Sequence, residues 1–310
     1  VSHLTKIAVS IGDINGVGLS IALAAHEIIS QWCDPLYIVD DAIVDEACKK
    51  LHTSKSPTFR TFELDIPIQI EAGIIDANAG RYSFASFVKG VELAQQKKVD
   101  ALVTLPIHKE AWAKAGIKFK GHTDYLRHHF GRDAIMMLGN SKLFVALFTE
   151  HIPLREVPKY LTFDALEVFL LDLYETTHFD KINVLGLNPH AGDGGVLGNE
   201  EELIDAAIQS ANHKIGKPIF FGPSVPDVAF TPHALAHCNR IAALYHDQGL
   251  APLKALYFDE SINISLNLPI IRASVDHGTA FDIAYTAQKP KIESYLNAVR
   301  YAIDACKHLD

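Results

Sequence analysis

The chain has 310 residues, 48% of them hydrophobic, and its 28 basic and 37 acidic side chains give a formal net charge of −9. That is enough apolar material for one large or two medium domains, and an acidic chain with scattered Lys and Arg is not built to hold a nucleic-acid backbone or an anionic membrane. Cys33, Cys48, Cys238 and Cys306 form no CxxC pair and no stretch approaches the roughly 20 apolar residues of a bilayer span, so a reducing, cytoplasmic setting is expected, without zinc finger or disulfide framework.

Short apolar runs alternate with amphipathic stretches: KIAVSI then LSIALAAHEIISQW, PLYIV then DAIVDEACKKLH, ALVT then HKEAWAKAG, KINVLGL then EELIDAAIQSA. Such alternation predicts an α/β fold with a largely parallel sheet. Apolar residues at three- and four-residue spacing predict helices over 82–97, 163–178, 200–212 and 292–308, with Asn199 and Glu202 as a capping box for the third. AIMMLG and SKLFVALFTE are too close for a crossover helix, so a hairpin is expected there, and again in INISLNLPIIR around Pro269.

Candidate chemistry lies at the ends of these runs. IGDINGVG follows a strand and precedes a helix, yet it does not match the dinucleotide fingerprint. GHTDYL places His122 and Thr123 at a helix start, where backbone N–H groups favour an anion; the plainer alternative is an N-cap by Thr123 or Asp124. His151, His190 and His246 each close an apolar run. A lone histidine there is as a rule structural, but three in one setting suggest convergence on a metal ion. Asp247 stands beside His246, either to orient its imidazole or to cap the following segment. The glycines of NPHAGDGGVLG fit no named nucleotide loop. In RASVDHGTAFDIA, Arg272, Asp276, His277 and Thr279 gather around a glycine, as a binding loop or as a buried ion pair that ties the loop down.

TLPIHK, GHTDYL, NPHAGDGG, YHDQGLAPLK and LPIIRASVDHGTAFDIA, in that order, resemble the motifs of the 4-hydroxythreonine-4-phosphate dehydrogenases, the PdxA family of vitamin B6 (pyridoxal phosphate) biosynthesis. The resemblance implies a divalent metal on His151, His190 and His246, with zinc expected first and magnesium, cobalt or nickel as alternatives. It implies substrate contacts at His122, Thr123, Lys254, Asn263 and Arg272. NAD or NADP would lie near His277, Gly278, Thr279 and Asp282, and Asp247 and Lys254 are the candidates for the catalytic base. The implied fold is a two-subdomain α/β/α architecture similar to isocitrate and isopropylmalate dehydrogenases and not a Rossmann fold. One subdomain comprises residues 1–125 and 265–310, the other 126–264, with a cleft between them and a homodimer that shares its sites.

The implied reaction is oxidation of 4-hydroxy-L-threonine 4-phosphate, a small phosphorylated amino acid, followed by decarboxylation to 3-amino-2-oxopropyl phosphate. Two stretches depart from the family pattern. Ile14 stands where a proline is usual, with Leu19-Ser20 for Pro-Glu, and Tyr285-Thr286-Ala287 replaces Gly-Lys-Gly. Alternatives are a paralogue acting on threonate or erythronate 4-phosphate, a zinc hydrolase with Asp247 as base, and a non-catalytic binding protein.

Overall fold

The structure, a computed structural model, describes residues 4–307. Its first half runs β1 (Lys6–Ser10), α1 (Gly18–Ile29), β2 (Asp34–Ile38), α2 (Asp41–Lys50), β3 (Arg60–Phe62), α3 (Ala77–Gln95), β4 (Ala101–Thr104), α4 (Lys109–Lys114) and α5 (His122–Phe130). The middle runs β5 (Ile135–Asn140), β6 (Leu143–Leu147), α6 (Val157–Tyr160), α7 (Phe163–Thr177), β7 (Ile182–Leu185), α8 (Glu200–Ile215), β8 (Phe220–Ser224), α9 (Pro232–His237), β9 (Arg240–Ala243) and α10 (His246–Tyr257). β10 (Ile262–Leu266), β11 (Ile271–Val275) and α11 (Glu293–Cys306) close the chain. The fold is α/β with mostly parallel strands, and it divides into two compact units: Val1–Arg132 with Ile262–Asp310, and Asp133–Ser261.

In the first unit the strand order is β3-β2-β1-β4-β11-β10, antiparallel only between β11 and β10. The order reverses between β1 and β4, and beyond the carboxyl ends of strands at such a switch point open α/β sheets bind ligands. In the second unit the order is β5-β6-β9-β7-β8, antiparallel only between β5 and β6. Both expected hairpins are present, and Pro269 sits in the turn between β10 and β11, where no ladder hydrogen bond is required of it.

Strands β4 and β6 are buried at every position, as befits strands covered on both faces. Phe87 and Val91 of α3, Leu102 of β4 and Trp112 of α4 form the core of the first unit, and Trp112 Nε1 donates to Ser83 Oγ at 2.8 Å. Val145, Leu147, Leu185, Ile241 and Leu253 form that of the second.

The expected helices are found, with corrected ends. α3 starts five residues before Tyr82 because Asp76 Oδ2 accepts from Asn78 N (2.7 Å) and Ala79 N (3.0 Å); its first turn, Ala-Asn-Ala-Gly, is too small and polar to show apolar periodicity. α8 runs on past Asn212 until Gly216 turns left-handed (φ 76°). The capping box does not form: Asn199 makes no side-chain cap, and the carboxylates that organise this end are Glu200 and Glu201. His308, the expected end of the last helix, lies outside the described residues. No described helix is long and apolar enough to cross a membrane, and all four cysteines are free thiols.

Candidate active site

In the first unit, the loops after β1, β4 and β11 meet at the switch point. Asp13 N donates to Pro106 O (2.8 Å) and Val17 N to Thr279 O (3.0 Å). Asp13 is fully buried, with Oδ1 taken by Asn15 N (2.9 Å) and Oδ2 without a partner. Burial pushes its carboxyl up to about 6, Asn15 opposes the shift and the nearby Asp76 adds to it. The two stretches that depart from the family pattern touch each other: Tyr285 OH donates to Ile14 O at 2.7 Å.

Arg272, on β11, is 2% exposed. Its guanidinium donates to the Thr104 hydroxyl from Nη2 (2.7 Å) and Nε (3.2 Å), and to the Ser265 hydroxyl from Nη1 (3.0 Å). All these partners are neutral hydroxyls, so the guanidinium itself is not held by an ion pair with a carboxylate among the described residues. Burial lowers its pKa to about 9, a measure of how poorly a buried guanidinium is compensated by hydroxyls alone.

His122 opens α5, and neither it nor Thr123 or Asp124 caps the helix. Its Nε2 is buried without a partner, and its ring lies edge-on to Phe87, 4.6 Å between centroids. Burial first, then the charges of Arg272 and Lys109, hold its pKa well below the usual histidine value, so the ring is neutral at physiological pH. Asn263 Oδ1 on β10 and His277 Nε2 after β11 are also buried and unpartnered, while His277 Nδ1 lies 3.0 Å from Gly278 O. Buried polar atoms are almost always satisfied, so this concentration of unmet donors and acceptors is what a ligand site presents. Thr279 is buried and Asp282 exposed in the same loop.

In the second unit, β6, β9 and β7 are parallel neighbours, and His151, His246 and His190 follow their respective carboxyl ends. The His151 and His246 rings stand 5.3 Å apart. His246 Nδ1 lies 2.7 Å from Asp247 Oδ1, an acceptor that fixes the proton on Nδ1 and leaves the lone pair on Nε2. Among the described residues no three His, Cys, Asp or Glu side chains are grouped closely enough to hold one ion, so His190 does not join the other two here. Lys254, on α10, lies over the Phe258 ring at 5.5 Å.

Sequence reading missed what holds these loops. Thr149 Oγ1 donates to Leu244 O (2.6 Å), Leu244 N donates to Gln248 Oε1 (2.7 Å), and Gln248 Nε2 donates to Gly186 O (2.7 Å). One buried glutamine thus stitches the ends of the strands that carry the three histidines. The segment Pro189–Gly195 is held from the other side: Glu201 Oε1 accepts from Leu187 N (2.9 Å) and Asn188 N (2.8 Å), and Oε2 from Asn188 Nδ2 (3.0 Å). His190, Ala191 and Asp193 there have φ of 53°, 50° and 45°, a left-handed run that side chains adopt only under constraint. Gly192 (φ 76°) is obligatory, since a Cβ would fall 2.6 Å from Glu201 Oε2. The signals for both residues were present, Gln248 within YHDQG and Glu201 after the glycines, but each reads as an ordinary helix residue until its partners are seen.

The model of the family described as "Pyridoxal phosphate biosynthetic protein PdxA" matches residues 31–302. The chain is 55% identical over 298 residues to a 4-hydroxythreonine-4-phosphate dehydrogenase of Sulfurimonas denitrificans, covering 96% of this chain and 97% of that one. It is 49% identical over 306 residues to one of Campylobacter fetus, covering 98% and 99%. A crystal structure of a 4-hydroxythreonine-4-phosphate dehydrogenase from Klebsiella pneumoniae superposes with a TM-score of 0.84 at 30% identity, over 99% of each chain.

Proposed function

The chain belongs to the PdxA family, and we propose that it is a dehydrogenase that oxidises 4-hydroxythreonine 4-phosphate, in pyridoxal phosphate biosynthesis, using NAD or NADP and releasing carbon dioxide to leave 3-amino-2-oxopropyl phosphate. Within that family the observation that carries the reading is Arg272: a buried cation with only neutral partners is set for an anionic ligand, and the substrate phosphate is that anion.

Arg272 and Thr123 hold the phosphate, with neutral His122 as a hydrogen-bond partner at Nε2. Asn263 Oδ1 accepts from a donor on the substrate. His277, Gly278, Thr279 and Asp282 bind the nicotinamide nucleotide, in an architecture similar to isocitrate and isopropylmalate dehydrogenases. His151 and His246 stand together, and His190 would have to move in to complete a three-histidine set. Such a set suits a divalent transition metal, since imidazole is a ligand for zinc, cobalt and nickel, magnesium favours oxygen donors, and the carboxylate behind His246 is the customary outer partner of a ligating imidazole. A metal held there would supply polarisation of the hydroxyl being oxidised, and a nicotinamide nucleotide would supply the hydride acceptor. Asp247 keeps His246 in the ligating tautomer, which leaves Lys254 as the group to take the hydroxyl proton.

The protein acts as a homodimer with shared sites. Leu154, Tyr160 and Val168, exposed at 66%, 56% and 54% around α6 and α7, supply apolar surface for such an interface. The test is product identity. Metal-loaded enzyme with substrate and NAD or NADP yields a phosphorylated aminoketone and carbon dioxide by mass spectrometry, and chelation abolishes both. Hydrolysis of the phosphate ester without cofactor reduction would contradict the reading.

A further inference from the structure

We propose that Lys109 is the second cation of the phosphate-binding end of this site, sharing the dianion with Arg272; this rests on the reading above that the substrate is a phosphate monoester. Lys109 is the first residue of α4, directly after His108, whose ring stacks on Phe281 with centroids 4.8 Å apart. Its Cε lies 3.8 Å from where a Cβ on Gly121 would stand, so the side chain runs along the residue that precedes α5. Its charge reaches His122, where it and Arg272 together disfavour an imidazolium. Two cations and an unpartnered buried imidazole nitrogen therefore surround the start of a nine-residue helix whose first amides have no side-chain cap.

Charge matching explains why one guanidinium is not enough. A phosphate monoester carries between one and two negative charges near neutral pH, with a second pKa of about 6. Arg272 supplies one fixed, planar positive charge with neutral hydroxyls behind it, and a lysine is the usual point-charge partner for the remainder. Lys114 of the same helix, by contrast, is paired with Glu110 at 3.2 Å. Lys109 makes no hydrogen bond or ion pair among the described residues. The one carboxylate in the first turn of α5, Asp124, is committed to the Lys120 N–H at 2.9 Å and does not stand in for the ligand.

The experiment compares wild-type holoenzyme with Lys109→Met, Lys109→Gln and Lys109→Arg. It reads the KM for 4-hydroxythreonine 4-phosphate, kcat, and the affinity for inorganic phosphate by calorimetry. Lys109→Met and Lys109→Gln should each weaken both substrate and inorganic phosphate by about tenfold or more, the loss of one charge-assisted contact, with a smaller fall in kcat. Lys109→Arg should recover most of the affinity, and added salt should narrow the gap between wild type and the neutral variants. Phosphate and substrate binding within twofold of wild type in either folded neutral variant would overturn the proposal, as would a wild-type protein that binds no phosphate. A wild-type protein that binds phosphate in a Lys109-dependent way but does not oxidise the substrate would overturn the functional reading and leave this one standing.

Discussion

Two buried titratable residues give the first unit opposite responses to pH. Asp13 has a folded-state pKa raised from 3.8 to about 6, so the folded state binds its proton more readily than the unfolded chain. The stability this contributes is complete below pH 3.8 and is lost as pH rises towards 6. Asp13→Asn, which mimics the protonated acid, should therefore stabilise the protein at pH 8 by on the order of 2 kcal/mol and do little at pH 4. Equal effects at both pH values in thermal melts would show that the carboxyl is not held protonated by burial. His122 acts in reverse: its folded pKa is lowered, the unfolded chain takes up the proton first, and stability falls as pH drops below the usual value of 6.5. Arg272→Met should leave the melting temperature of the ligand-free protein equal or higher, because an uncompensated buried charge is removed, while abolishing the stabilisation that phosphate confers. A large loss of ligand-free stability would mean that the guanidinium is there to tie Thr104 and Ser265 together. Residues of this kind were only half legible. His122, Asn263 and Arg272 could be named from motifs, but that Arg272 lacks a counter-charge, or that Asp13 is sealed in, depends on neighbours remote in sequence such as Thr104 and Pro106.

At the level of elements, the alternation of apolar runs and helical periods foretold the α/β class, both hairpins and the long helices, because each is a local consequence of side-chain spacing. Strands β3 and β8 were not foretold. Arg-Thr-Phe is too short to show a period, and Phe-Phe-Gly-Pro-Ser carries a glycine and a proline that read as a turn. Helix starts set by a single capping residue, such as Asp76, were also missed. Asp76→Ala should cost about 1 kcal/mol in chemical denaturation. The elements bearing His190 and His246 depend on Glu201 and Gln248. Glu201→Ala removes three hydrogen-bond acceptor contacts from the loop base and Gln248→Leu removes the stitch between strand ends. Each should weaken zinc affinity about 10- to 100-fold, measured by chelator competition, in a protein that stays folded by circular dichroism. Unchanged zinc affinity in both variants would separate these loops from the metal.

On the scale of the whole molecule, the two units carry different candidate chemistry. The groups proposed to bind the anion, Arg272, His122 and Lys109, lie in the first unit, and the histidines proposed for the metal, His151, His190 and His246, follow three parallel strand ends of the second. Strand-end position alone had suggested the histidine trio, since that placement is a property of the α/β topology and the sequence already shows apolar runs ending in His. The substrate had no comparable signature in spacing and came from the order of motifs, now joined by near-full-length similarity to 4-hydroxythreonine-4-phosphate dehydrogenases. The most direct test is the appearance of reduced nicotinamide when metal-loaded protein meets 4-hydroxythreonine 4-phosphate and NAD or NADP, with threonate 4-phosphate and a chelated sample alongside. Metal-dependent reduction with the amino-acid phosphate, and little with the sugar-acid phosphate, is the predicted result. Preference for threonate 4-phosphate would contradict the substrate assignment, and no reduction with either, despite bound metal, would contradict the dehydrogenase itself.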